Sequence, residues 1–166
     1  MADVTDGRHD FDFLAGRWKI ANRKLESPAP EESPVWLEFD STAESRPILG
    51  GLGNVDTYHV ADFPGRGEYH GLALRLFEAE ARLWRIWWAS NPGTGDLEPP
   101  LVGRFVDGEG HFEADDTFAG REIKARFRWS QTTSATPRWE QSFSFDGGGS
   151  FAVNWIMDLE REAADT

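Results

Sequence analysis

Apolar and polar residues alternate at every second position through most of this chain. Between residues 121 and 129, one parity carries Ile123, Ala125, Phe127 and Trp129, whereas residues 122, 124, 126 and 128 are all charged. Successive side chains of a β-strand point to opposite faces, so this pattern predicts a strand with one buried and one solvated face. Antiparallel sheets tolerate water on one side in this way. The alternation therefore predicts an all-β fold.

The alternation recurs in about ten short segments, separated by turn sequences such as 107–110 and 146–149. The predicted strands lie near residues 15–25, 35–44, 52–60, 69–78, 81–90, 101–107, 110–118, 121–129, 138–146 and 151–159. Residues 27–34 contain three prolines and are predicted to be irregular, and residues 91–100 are predicted to form a loop over one barrel end. Closure removes exposed sheet edges, so we predict one antiparallel up-and-down β-barrel, with a short N-terminal helical turn. We expect residues 1–166 to form this single domain.

Composition excludes several classes of function. The chain has 166 residues and a net charge of −12, from 17 Lys and Arg against 29 Asp and Glu. Nucleic acids and anionic membranes attract basic surfaces, so neither is expected as a partner. The absence of cysteine excludes disulfides and thiolate metal sites. The acidic residues 1–12 do not resemble a signal peptide, and a cytoplasmic location is predicted.

Aromatic residues are unusually frequent, with 8 Trp, 12 Phe and 2 Tyr. Most are expected to fill the barrel core, and a few to line a ligand cavity. Trp84 and Trp88 are the predicted ligand-stacking rings. Of the other tryptophans, Trp129, Trp139 and Trp155 are assigned to apolar strand faces, and Trp36 and Trp87 as outward-facing rings. Because an outward Trp87 would leave apolar surface on the barrel wall, a homodimer is also predicted.

Polar residues interrupt otherwise apolar strand faces in two neighbouring segments. Asn54, Asp56 and Tyr58 share one parity, and Arg75 shares its parity with Ala73 and with Phe77. If the two strands are adjacent, Asp56 and Arg75 would pair inside the barrel. In the alternative, Arg75 faces water beside Glu78 and Asp56 is an ordinary polar strand residue.

Gln141 shares its parity with Trp139 and Phe143, so it is predicted to face inward. There its amide would contact a ligand carbonyl or hydroxyl, or instead satisfy a neighbouring indole N–H or arginine.

No metal or cofactor is predicted. The four histidines form no i, i+2 pair, so a metal site would need histidines and carboxylates from separate strands. A haem barrel would need a histidine on an inner face, for which His59 and His70 are the only candidates well inside strands.

The sequence also resembles known barrel proteins. Gly16-x-Trp18 before the first strand, with Arg161 after the last, resembles the Gly-x-Trp signature of lipocalins and other calycins. A wider resemblance is to a family of bacterial lipocalin-like domains with no general activity assigned. It is carried by Phe13-Leu14-x-Gly16-x-Trp18, Gly53-Asn54-Val55-Asp56, Leu74-Arg75-Leu76-Phe77, Trp84-x-Ile86-x-Trp88, Trp139-Glu140-Gln141 and Asn154-Trp155-x-Met157-Asp158. The resemblance implies a barrel in which Trp18 closes one end and Arg161 packs on it.

Three functions remain open at this stage. The leading one is binding of a small apolar or aromatic molecule inside the barrel, with Asn54, Trp84, Trp88 and Gln141 as ligand contacts. The alternative is a cofactor-independent enzyme, an isomerase, cyclase, lyase or hydrolase of a secondary metabolite. In that enzyme Asp56, Tyr58 and Arg75 would be the acid or base, the oxyanion donor and the electrostatic partner. The third is an interaction module that uses the outward tryptophans.

Overall fold

Ten strands make up nearly all of the regular structure in the computed structural model, which describes residues 6–93 and 95–163. The strands are β1 Gly16–Leu25, β2 Trp36–Ile48, β3 Gly53–Phe63, β4 Gly67–Glu78, β5 Leu83–Ser90, β6 Leu101–Val106, β7 Glu109–Phe118, β8 Arg121–Ser130, β9 Arg138–Ser144 and β10 Ala152–Arg161. Three short 3-10 helices accompany them, at Asp12–Leu14, Leu49–Gly51 and Asn91–Gly93.

Each strand pairs antiparallel with its neighbours in sequence, and β10 pairs with β1 to close the barrel. The prediction of an all-β, up-and-down barrel of about ten strands is confirmed, as is the N-terminal helical turn, at Asp12–Leu14. The largest difference lies in β2, which continues to Ile48 and pairs across to Gly53, although Pro47 lies within it. The predicted loop 91–100 includes Thr94, which lies outside the described residues.

The register of β3 and β4 decides which polar residues face the interior. Asn54 lies opposite Arg75, and Asp56 lies opposite Ala73. Asn54, Arg75 and Ala73 are buried, whereas Thr57 on the other face is exposed. Of the two alternatives left open by the sequence, Arg75 therefore takes the inward one and not the one beside Glu78.

Trp18 closes one end of the barrel, as the Gly-x-Trp resemblance implied. Its indole Nε1 donates a hydrogen bond to the carbonyl oxygen of Leu14 at 2.7 Å. The Arg161 guanidinium lies 4.3 Å from the Trp18 ring and donates to the carbonyls of Ala15 and Phe13, at 2.7 and 2.8 Å. Gly16 has φ of +124°, and a Cβ there would lie 2.8 Å from Arg161. Glycine is therefore required two residues before this tryptophan.

The outer face of β4 and β5 carries apolar side chains, as predicted. Trp87 points outward and is half-buried, Leu72 is 37% exposed, and Trp36 on β2 is 42% exposed. The homodimer and the cytoplasmic location stay predictions. Among residues 6–93 and 95–163, no helix is long and apolar enough to cross a membrane.

Candidate functional site

A cavity of about 220 Å³ runs along the barrel interior, and all ten strands contribute to its wall. Alanines occupy inward positions on four of these strands, at Ala43, Ala73, Ala114 and Ala125. Short side chains at these positions leave the space that larger ones would fill in a packed barrel. The cavity is thus a direct result of the sequence.

The two ends of the cavity differ in character. Leu14 and Trp18 bound it at the closed end, while Glu98 and Pro99 from the β5–β6 connection bound it at the other. Only three residue pairs join β5 to β6, the last being Ile86 with Leu101. Beyond that pair the wall is made by the connection rather than by a strand. This position agrees with the predicted loop over one barrel end.

Asp56 and Arg75 form an ion pair in the cavity wall. Arg75 Nη1 lies 2.7 Å from Asp56 Oδ2 and donates to Asn54 Oδ1 at 2.9 Å. The two charged side chains are only 6% and 13% exposed, for Arg75 and Asp56 respectively. The guanidinium also stacks on the rings of Phe11 and Trp129, at 5.1 and 5.8 Å. The predicted pairing inside the barrel is present.

Four buried polar atoms of the cavity wall have no hydrogen-bond partner among the described residues. They are Asp56 Oδ1, Arg75 Nε, Ser45 Oγ and Trp129 Nε1. We refer to Ser45, Asp56, Arg75 and Trp129 as the polar cluster. Buried polar groups are nearly always paired in folded proteins, so these four side chains are candidates for contact with a ligand or with ordered water.

A second set of buried polar side chains, centred on Asn22, forms hydrogen bonds within itself. Asn22 Oδ1 accepts hydrogen bonds from the Tyr58 hydroxyl at 3.0 Å and from the Trp155 indole at 3.1 Å. Asn22 Nδ2 donates to Ser41 Oγ at 2.8 Å. Burial raises the pKa of the Tyr58 phenol well above its usual value. Tyr58 is therefore neutral, and its hydroxyl proton is already engaged in the hydrogen bond to Asn22. The residue also lines the cavity.

Trp88 lies against the backbone of the neighbouring strand. A Cβ on Gly71 would clash with its ring, so only glycine at position 71 allows this placement. The Trp88 ring then packs at 5.7 Å from Tyr58 and lines the cavity. Trp88 is thus placed as a ligand-stacking residue would be.

Two predicted ligand contacts lie elsewhere. Trp84 is buried at the closed end of the barrel, outside the cavity. There its indole donates a hydrogen bond to the Gly7 carbonyl, and its ring packs on Phe11 at 5.0 Å. It closes the barrel end and does not line the cavity. Asn54 does not line the cavity either. It accepts a hydrogen bond from Arg75, which does line the cavity. Both residues are buried inside the barrel, but at a depth that alternation does not report.

Gln141 lines the cavity, and its side-chain amide donates to Asn154 Oδ1 at 2.8 Å. Asn154 is buried because the β9–β10 register shifts between Val153 and Trp155. Simple alternation places Asn154 on the face opposite Val153, Trp155 and Met157. Sequence reasoning also missed Asn22 and Ser45, although each shares the parity of apolar inward neighbours.

His59 and His70 both point to the outside of the barrel, so neither reaches the cavity. His59 pairs directly with His70 across β3 and β4, and both contact Glu68 on the outer face. Neither histidine is available as an inner ligand for haem.

Comparison with known proteins identifies the fold alone. No protein-family model and no curated protein matches this sequence. Among solved structures, 12 chains match. One is the S-type phycobiliprotein lyase CPES from Guillardia theta, with a TM-score of 0.58, 9% sequence identity and 99% coverage of each chain. The likeness supports a lipocalin-like barrel, and at this identity it does not extend to activity.

Proposed function

We propose that this barrel binds a small, uncharged, mainly aromatic molecule of one or two rings in its interior. The observation that carries the proposal is the polar cluster, whose four residues each have a buried atom without a partner among the described residues and lie in a mainly apolar cavity wall. Ligand sites combine apolar walls with a few convergent polar groups in this way. Rings of Trp88, Trp139 and Phe127 would supply the apolar contact.

Cavity size limits the ligand. The cavity measures about 220 Å³. An apolar cavity of about 150 Å³ accommodates benzene, while sites for drug-sized ligands span roughly 300–1,000 Å³. A one-ring or fused two-ring molecule matches the intermediate volume.

Charge limits the ligand as well. Asp56 and Arg75 already neutralise each other at 2.7 Å, so neither requires a counter-ion from the ligand. Glu98 and Asp116 also line the cavity, and they would repel an anion approaching it. An uncharged ligand is therefore favoured.

The polar cluster offers both hydrogen-bonding roles. Asp56 Oδ1 can only accept, whereas Arg75 Nε and Trp129 Nε1 can only donate. A ligand with an N–H or O–H group beside a carbonyl, such as a cyclic amide, would satisfy both roles. We therefore assign aromatic lactams and related hydroxy-carbonyl compounds as the ligand class.

Calorimetric titration with oxindole, a two-ring lactam, tests the proposal. Indane is the matched probe because it has the same fused shape but no polar group. We expect oxindole to bind in the cavity with a Kd on the order of 0.1 mM, given about 0.5 kcal/mol for each of its non-hydrogen atoms. Indane should bind at least roughly tenfold more weakly, because the polar cluster then remains unpaired.

Variants show whether the polar cluster is responsible. Asp56→Asn should weaken oxindole binding, whereas Thr57→Ala changes the exposed neighbouring residue and should not. Equal affinity for oxindole and indane, or equal affinity of the two variants, would contradict the assignment of the polar cluster as the binding site.

A second candidate function is cofactor-independent proton transfer, favoured by one observation. Asp56 lines the cavity and is held through Oδ2, which leaves its buried Oδ1 without a partner in the described chain. A positioned carboxylate of this kind acts as a general base when a substrate C–H or N–H lies within reach. The assay is exchange of the C3 hydrogens of oxindole in D₂O, followed by NMR. An exchange rate equal to that in buffer, or unchanged in Asp56→Asn, would refute this second function.

We also propose that the chain belongs to the bacterial lipocalin-like family that its motifs resemble. The support is the packing of Arg161 on Trp18 at the closed barrel end, at 4.3 Å.

A further inference from the structure

Three potential metal ligands meet on the outer face of the β3–β4 hairpin, away from the cavity. His59 on β3 is the direct cross-strand partner of His70 on β4, and their rings lie 4.7 Å apart. Glu68 precedes His70 by two residues, so its side chain points to the same face. The side chains of His59, Glu68 and His70 are 41%, 65% and 55% exposed, so all three are accessible to an ion from solvent.

The distances between the ligand atoms suit a single ion. Glu68 Oε1 lies 2.9 Å from His59 Nε2 and 3.3 Å from His70 Nε2. One ligand atom from each of the three residues lies within 4.8 Å of the others. With metal–ligand bonds of about 2.0–2.1 Å, neighbouring ligands are about 2.9 Å apart in an octahedron and about 3.3 Å apart in a tetrahedron. Small side-chain rotations therefore place all three atoms around one ion.

The backbone under the two histidines is firmly held. The β3–β4 ladder runs without a register shift from Gly53 opposite Leu76 to Val60 opposite Tyr69, and the register shifts only beyond it, beside Glu68. The backbone N–H of His70 also donates to Asn91 Oδ1 at 3.0 Å. His59 and His70 therefore need no backbone movement to bind an ion, which reduces the entropic cost of binding.

The ligand types select the class of ion. Two imidazoles and one carboxylate suit Zn²⁺, Cu²⁺, Ni²⁺ and Co²⁺, whereas Mg²⁺ and Ca²⁺ prefer oxygen ligands alone. Glu68 would bind such an ion through its ionised carboxylate, and the two histidines through neutral imidazoles.

The remaining histidines lack this arrangement. In the described ranges His9 pairs with a single carboxylate, that of Asp12 at 2.8 Å, and His111 with a single one, that of Glu109 at 3.4 Å. Within the described ranges, His59, Glu68 and His70 are the one group of three such side chains that converge.

We propose that His59, Glu68 and His70 bind one divalent transition-metal ion of the Zn²⁺ or Cu²⁺ class on the outer face of the β3–β4 hairpin. The three residues supply three ligands, and water or an incoming group completes the coordination. The site is separate from the interior cavity, because its ligands point to the opposite face of the same strands.

Calorimetric titration of the purified, EDTA-treated and dialysed protein with ZnCl₂ tests the proposal. We expect one Zn²⁺ per chain, with no comparable heat from MgCl₂. His70→Gln should weaken Zn²⁺ binding by at least roughly tenfold, because even residues that only support a ligand contribute about 10–100-fold. His111→Gln is the matched control, since it also removes a strand histidine beside a glutamate, and it should bind Zn²⁺ as the wild type does.

A second measurement identifies the ligands independently of affinity. Zn²⁺ should shift the imidazole ¹⁵N resonances of His59 and His70, while those of His9 and His111 should not move. Each variant is checked by its far-UV circular dichroism, so a loss of binding is read only from a folded barrel. Absence of a stoichiometric site, an equal loss in His70→Gln and His111→Gln, or shifts confined to His9 or His111 would overturn the proposal.

Discussion

Removal of Arg75 would leave a buried carboxylate without its partner, and its cost can be worked out from the structure. Arg75→Met keeps the apolar volume of the side chain but breaks the 2.7 Å contact with Asp56. Breaking a buried ion pair by removing one partner costs about 3–5 kcal/mol. Asp56 is 13% exposed rather than fully buried, so we expect the lower end of that range, about 3 kcal/mol.

Urea unfolding followed by tryptophan fluorescence measures this loss. With a slope of about 2 kcal/mol/M, a loss of about 3 kcal/mol lowers the unfolding midpoint by about 1.5 M. The double variant Asp56→Asn, Arg75→Met removes the orphaned charge, so we expect it to recover at least about 2 kcal/mol relative to Arg75→Met.

Arg126→Met is the matched control on the barrel surface. Arg126 contacts Glu113 at 2.6 Å, but the two side chains are 38% and 48% exposed. An exposed pair contributes about 0–1 kcal/mol, so this variant should be nearly neutral. The reasoning would be refuted if Arg75→Met were no less stable than Arg126→Met. It would also be refuted if the double variant were no more stable than Arg75→Met.

Three further predictions concern other parts of the barrel. Gly71→Ala should displace Trp88, because the added Cβ would clash with the indole ring. We expect it to lower the free energy of unfolding by about 1–3 kcal/mol. A shift of the tryptophan emission and weaker oxindole binding would show the displacement. Arg161→Leu should destabilise the fold by about 1–2 kcal/mol in urea unfolding, because it removes the cap of Trp18 and two hydrogen bonds. The pKa of Asp146 is held well below its usual range by hydrogen bonds from neighbouring serines. The stability that comes from this lowered pKa is present above about pH 4 and is lost as the pH falls further. Asp146→Asn should therefore be less stable than the wild type at pH 7, and urea unfolding in acid should show a smaller difference between the two.

Alternation alone was enough to predict the barrel and the side of the wall on which most residues lie. It left open which face of the strands at 52–60 and 69–78 points inward, and with it the choice between a paired and a solvated Arg75. The ion pair itself depends on the register that sets Asn54 opposite Arg75, which the sequence does not encode locally. Asn154 shows the limit of alternation, because an irregularity between Val153 and Trp155 reverses the parity of the strand.

Depth along the barrel axis is the second property that the sequence did not provide. Trp84 and Trp88 share one parity, but Trp84 belongs to the closed end and Trp88 to the cavity. The period of a strand reports only the face of a side chain, so both residues looked equivalent. The His59, Glu68 and His70 group was missed for a related reason, since its members come together only through cross-strand pairing.

The central claim, that a small molecule occupies the barrel interior beside the polar cluster, is tested most directly by NMR with methyl-labelled alanine. Ala73 and Ala125 line the cavity from β4 and β8, whereas Ala61 lies exposed on the outer surface. We predict nuclear Overhauser effects from oxindole ring protons to the Ala73 and Ala125 methyl groups and none to Ala61. Effects confined to Ala61 and other surface methyl groups, or no effects at saturating oxindole, would contradict the claim.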